Sequence, residues 1–117
     1  MFTIHNTQIR ITRGDCASFT VDILQDMDDG SSVPYEMAPE DTLLFTAKRC
    51  LSDTVPALQL RTEGTPEFRL RPEHTRHLLG RYLYDIELRA ASGDIYTVLG
   101  AGEYPTPEMV VLPEVTE

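Results

Sequence analysis

The chain has 117 residues, with 19 Asp and Glu against 10 Lys and Arg, for a formal net charge of −9. That length holds one domain spanning residues 1–117, able to bury roughly two thirds of its unfolded surface. The acidic balance argues against nucleic acid or an anionic membrane as a partner, because phosphate groups are bound by basic fields.

The opening Met1-Phe2-Thr3-Ile4-His5 lacks the basic start and apolar core of a secretion signal. No apolar run approaches the roughly 20 residues of a membrane helix. The expectation is therefore a chain made and kept in a cytoplasm. Phe2–Ile4 and Gln8–Thr12 read as short edge strands separated by His5-Asn6-Thr7, and Arg13-Gly14-Asp15 reads as a turn. From Cys16 to Leu24 the pattern alternates. Ala17, Phe19, Val21 and Ile23 face inward, while Ser18, Thr20 and Asp22 face outward, which predicts one strand.

Gln25 to Ser32 is polar and carries the turn pair Asp29-Gly30. Val33 to Met37 predicts a short edge strand, because Pro34 cannot donate to a ladder. After the loop Ala38-Pro39-Glu40-Asp41, residues Thr42–Lys48 form a strand with Leu43, Phe45 and Ala47 on one side. Ala57–Arg61 and Glu67–Leu70 are further short strands around the Gly-containing turn Thr62–Pro66. In Arg71–Gly80, Pro72 suits a first helical position, Glu73 favours a helix start and Gly80 suits its stop. One or two helical turns are expected there.

Gly80 to Ala90 is the most strongly patterned stretch. Tyr82, Tyr84, Ile86 and Leu88 share one face, and Arg81, Asp85, Glu87 and Arg89 share the other with Leu83. A strand with one apolar face needs a second layer to cover it. Ser92-Gly93-Asp94 predicts a hairpin turn leading into Ile95–Leu99. The segment Gly100 to Pro107 breaks that strand, and Met109–Leu112 resumes it as an edge. Seven to nine short strands with turns between them predict an all-β antiparallel sandwich. Gly80-Arg81-Tyr82-Leu83-Tyr84, after a helical turn, is similar to the corner that enters strand F of immunoglobulin-like domains. There a Tyr hydroxyl bonds back to the preceding connection, and Tyr82 is that Tyr. With no Trp and no inward Cys at Phe19 or Val21, apolar packing alone must hold the layers together.

Few residues point to chemistry. Cys16 and Cys50 lack Cys or His neighbours for zinc and a positioned His for nucleophilic attack, so free thiols are expected. Arg13-Gly14-Asp15 matches the integrin-binding tripeptide, but three residues recur by chance and a turn suffices. His74 and His77 could share a helical face beside Glu73, yet a metal site needs more ligands than this pattern offers. Asp26, Asp28, Asp29, Glu36, Glu40 and Asp41 fit no calcium-loop spacing and read as a solvated acidic loop. Gly100-Ala101-Gly102 lacks the helix that a phosphate cradle requires. The aromatic residues read as core rather than as a sugar-stacking platform. No catalytic, cofactor-binding or metal-binding residue is assigned, and no enzyme or cofactor is expected.

A wider resemblance rests on Ile11-Thr12-Arg13-Gly14-Asp15, Ala17-Ser18-Phe19-Thr20-Val21, an Asp29-Gly30 turn, Leu44-Phe45-Thr46-Ala47-Lys48, Pro72-Glu73-His74-Thr75, Gly80 to Leu88, Gly93-Asp94-Ile95-Tyr96-Thr97-Val98 and Pro113-Glu114-Val115-Thr116. In this order the chain resembles the small immunoglobulin-like domains of tail and baseplate proteins in phages and prophages of Gram-positive bacteria. It is similar, among these, to the N-terminal domain of baseplate upper proteins. It departs from them at Cys16 and in the longer Gly100 to Pro107 break. The resemblance implies a non-enzymatic structural module of a virion tail, assembled in the bacterial cytoplasm. Its partners would be itself, as a homo-oligomer, or other tail and baseplate proteins. Edge strands at Phe2–Thr12, Val33–Met37 and Met109–Leu112 would offer backbone pairing. An immunoglobulin-like adhesin or carbohydrate-binding module of a bacterial surface protein is the alternative.

Overall fold

A computed structural model describes residues 2–4, 8–21, 23–50, 52–99 and 107–113. The elements run β1 (Phe2–Ile4), β2 (Gln8–Thr12), β3 (Ala17–Thr20), β4 (Ile23–Asp26), β5 (Ser32–Pro34), β6 (Thr42–Lys48), β7 (Leu58–Glu63), β8 (Glu67–Leu70), α1 (Pro72–Thr75), β9 (Gly80–Arg89), β10 (Ile95–Leu99) and β11 (Glu108–Leu112).

β9 organises the larger sheet. Tyr82, Tyr84, Ile86 and Leu88 are all buried, none above 4% exposure, while Arg81, Asp85 and Arg89 are exposed. One flank pairs antiparallel with β6, from Thr42 opposite Arg89 to Lys48 opposite Leu83. The other flank is shared: β11 pairs along Gly80–Leu83 and β10 along Ile86–Arg89. β7 extends the sheet beyond β6, and β2 extends it beyond β11. The result is the order β2-β11-β9-β6-β7, with β10 attached to β9.

The opposing layer is the antiparallel pair β3–β8, with Phe19 opposite Phe68. These two rings stack at 5.4 Å between centroids, and each meets Phe45 of the larger sheet at 5.9 Å. Phe45 in turn stacks on Tyr84 at 4.9 Å. Offset and edge-on aromatic contacts of this kind add to the gain from burying the rings. Leu43, Ala47, Leu70, Met109 and Val111 close the core around them. β4 leaves β8 and pairs instead with β1 and β5 in a three-stranded sheet.

The fold is therefore all-β and sandwich-like, with one short helical turn before β9, and it is sealed by apolar and aromatic side chains. Both cysteines are free and exposed. Several details differ from the sequence expectation. Eleven strands appear among the described residues rather than seven to nine, because the run expected as one strand from Cys16 to Leu24 is split where it changes partners. β11 is not an edge: it lies between β2 and β9. The β2–β11 pair is parallel, whereas the other pairs among the described residues are antiparallel. The expected strand at Val33–Met37 is β5, Ser32–Pro34, at a sheet edge. Most of the Gly100 to Pro107 break, including Gly100-Ala101-Gly102, and the tail from Glu114 lie outside the described residues.

Candidate interaction surfaces at the two ends

The strand register sorts the connections into two groups. β8 ends, and β3 and β9 begin, beside α1; there β2 and β11 also end, because Val111 is opposite Gly80. This end carries the connections 13–16, 49–57 and 71–79. The other end carries 35–41, 64–66 and 90–94, because β6 begins opposite the ends of β9 and β7, and it carries the base of the β4–β5 hairpin (turn 27–31), because Tyr35 bonds both the Ile23 carbonyl and Asp41.

At the α1 end, Thr75 is fully buried and its Oγ1 accepts the Gly14 N–H at 3.0 Å. The Arg13 N–H donates to the Leu112 carbonyl at 2.8 Å, and the Asp15 N–H to the Thr12 carbonyl at 3.1 Å. Arg13-Gly14-Asp15 is thus a structural turn, tied to both α1 and β11. The expected corner is formed: the Tyr82 hydroxyl accepts the Leu79 N–H at 3.0 Å. Arg49, which the sequence did not single out, completes it. Its Nη2 donates to the Tyr82 hydroxyl at 3.0 Å and to the Leu79 carbonyl. The guanidinium carbon also lies 4.7 Å from the Tyr82 ring centre, within cation–π range.

His74 turns back on its own chain, its Nδ1 accepting the Arg71 N–H at 2.9 Å. His77 is exposed. Among the described residues no three His, Cys, Asp or Glu side chains gather as a metal site would require. Beside α1 runs an open groove of about 640 Å³, lined by Cys16, Ser18, Arg69, Arg71, Pro72 and Glu73.

The opposite end is built on one carboxylate. Asp41 is 2% exposed, so it is not part of a solvated acidic loop. Its Oδ2 accepts the Tyr35 hydroxyl at 2.5 Å and the Ala38 N–H at 2.9 Å, and its Oδ1 accepts the Ala91 N–H at 3.0 Å. Its backbone carbonyl accepts the Gly64 N–H at 2.8 Å. One residue thereby joins the β5–β6, β7–β8 and β9–β10 connections. Gly64 adopts φ 69°, and a Cβ there would lie 3.1 Å from the Pro39 carbonyl oxygen, so this junction requires glycine.

Burial pushes the Asp41 carboxyl up. The hydrogen bonds from Tyr35, Ala38 and Ala91 outweigh it and hold the group below its ordinary value. The Tyr35 hydroxyl is raised to about 12, first by its bond to Asp41 and then by burial. The only sequence signal for this hub was the position of Asp41, immediately before a strongly alternating strand. Other acids here are solvent-facing. Asp29 accepts the Ser31 hydroxyl at 2.6 Å and the Ser31 N–H at 2.9 Å, which closes the β4–β5 turn and lowers its own pKa.

The two ends differ in charge. The connections beside Asp41 carry six carboxylates (Asp28, Asp29, Glu36, Glu40, Asp41 and Asp94) and no Lys, Arg or His. Those beside α1 carry Arg13, Arg49, Arg71 and Arg76 with two His, against Asp15, Asp53 and Glu73. Each end also exposes apolar side chains: Met27 and Val33 on the β4–β5 hairpin, Val55 and Leu79 at the α1 end.

No family model, curated protein or solved structure matches the chain. The class is set by the fold itself: an all-β, sandwich-like chain in which the buried Asp41 and Thr75 side chains tie connections together. Among the described residues no helix is long and apolar enough to cross a membrane.

Proposed function

We propose that the chain is a non-enzymatic structural and assembly module of a phage or prophage tail or baseplate. It docks to copies of itself or to neighbouring tail proteins, and it is assembled in the bacterial cytoplasm into the virion. The observation that carries this reading is the pattern of strand edges. Among the described residues β2 and β7 pair on one side only, as do β1 and β5 at the edges of the smaller sheet. Such edges offer rows of backbone donors and acceptors to a partner strand. The corner at Tyr82 and the motif order that resembles tail immunoglobulin-like domains support the same reading.

The test is to tag the chain in its host, induce particle formation and separate virions from free protein on a density gradient. Co-sedimentation with tail proteins, and cross-links to them, is the expected result. A chain found only outside particles, or one that binds defined sugars selectively on a glycan array, would overturn the proposal. The latter outcome would favour an adhesin or carbohydrate-binding module.

A further inference from the structure

We infer that copies of this chain associate end to end, the acidic β4–β5 hairpin of one copy seating in the groove beside α1 of the next. The inference rests on the assembly reading above and names the partner: a second copy, in a polar, head-to-tail contact.

The argument begins with where the charges fall. The chain carries 19 acids, yet beside the buried Asp41 the acidic end concentrates five exposed ones on connections with no basic side chain, while four arginines sit on the connections at the opposite end. Charge segregated along one molecule opposes packing of like ends and favours opposite ends meeting.

The shapes agree with the charges. Residues 27–31 form a tight turn: the Met27 N–H donates to the Ser31 carbonyl at 2.7 Å and the Gly30 N–H to the Met27 carbonyl at 3.1 Å. Gly30 takes φ 88°, a conformation that suits glycine. The turn presents Asp28 and Asp29 with Met27, which is 45% exposed. β4 and β5, which carry it, belong to a sheet separate from the β3–β8 pair. The groove offers the complement. Arg69 and Arg71 flank it against one carboxylate, Glu73, and Pro72 supplies apolar lining. Arg69 is held by Glu67 through an exposed pair at 3.2 Å, which contributes little and can be exchanged for an incoming carboxylate.

Donor and acceptor surfaces are different patches of the chain, so the contact is heterologous. Repetition closes a ring if the rotation between copies allows, and otherwise builds a filament. Either form would suit a repeating part of a tail.

The test uses the full chain and two charge reversals at exposed positions, Arg69→Glu with Arg71→Glu, and Asp28→Lys, which leaves the Asp29–Ser31 turn bonds in place. Circular dichroism and thermal melts establish that both still fold. Association is followed by sedimentation velocity over a concentration series. The expected result is concentration-dependent growth of the native chain that weakens as salt rises from ~0.1 M to ~1 M, where screening shortens from about 10 Å to about 3 Å. Each reversal alone should weaken association at least about tenfold, and a 1:1 mixture of the two should restore it. A native chain that stays monomeric throughout, or assemblies indifferent to both reversals, would overturn the inference. Neither result would touch the assembly reading if the chain still co-sediments with virions, because it would then dock to other tail proteins. Absence from virions, with end-to-end association intact, would remove the tail assignment and leave the contact standing.

Discussion

The two ends of the sandwich face the same problem and solve it with different chemistry. At both, irregular connections must leave the sheets without stranding backbone polar groups. Beside α1 the ties are a buried Thr75 hydroxyl, the Tyr82 hydroxyl and the Arg49 guanidinium. At the other end a single buried carboxylate, Asp41, receives a hydroxyl and two backbone N–H groups. Three distributed ties make one end tolerant of the loss of any one, whereas a single hub concentrates both strength and vulnerability at the other. The hub's grip also depends on its charge.

The comparison breaks most severely if the shared core is removed. Phe45 is fully buried between Phe19, Phe68 and Tyr84. Phe45→Ala should cost about 4 kcal/mol in urea unfolding, with amide protection lost at both ends together. Loss at one end alone would mean that the ends unfold independently. Asp41→Ala should come next, at about 3 kcal/mol, because it leaves the partly buried Tyr35 hydroxyl and the Ala38 and Ala91 N–H groups without a charged acceptor. Hydrogen exchange should then speed up at Ala38, Gly64 and Ala91 while Gly14 and Leu79 stay protected. Tyr82→Phe is its counterpart at the α1 end and should cost about 1 kcal/mol, since Arg49 still bonds the Leu79 carbonyl. A Tyr82→Phe effect as large as that of Asp41→Ala would contradict the distributed character of that end.

The smallest expected effect is a change of slope with pH. The Asp41 pKa is lowered by folding, so its contribution is fully present above the ordinary value of 3.8 and is lost as pH falls through the lower folded value. Acid titration of unfolding should therefore be shallower below about pH 4 in Asp41→Asn than in the native chain or in Tyr82→Phe. Equal slopes in all three would show that Asp41 carries no linked stability.

Much of this was legible before any coordinates. The alternation from Tyr82 to Leu88 and from Leu43 to Ala47 located the strands and their buried faces, because a half-buried strand writes its orientation into every second residue. Tyr82 was recognisable as a corner because its partner, Leu79, is only three residues away. Asp41 was not recognisable as a hub, since its acceptor role depends on Ala91, which lies 50 residues further on. The split between β3 and β4 was equally hidden. Val21 and Ile23 stay buried across it, so the pattern continues while the hydrogen-bonding partner changes.

By itself the sequence determined an all-β chain, the extent of most strands and the inward faces that form the core, because these follow from local period and turn chemistry. Only the tertiary structure decided that β11 is interior and parallel to β2, that Arg49 caps Tyr82, and that acids and arginines gather at opposite ends. Those outcomes depend on which distant segments become neighbours. Many pairings satisfy the same alternation, and only the packing of both layers at once selects among them.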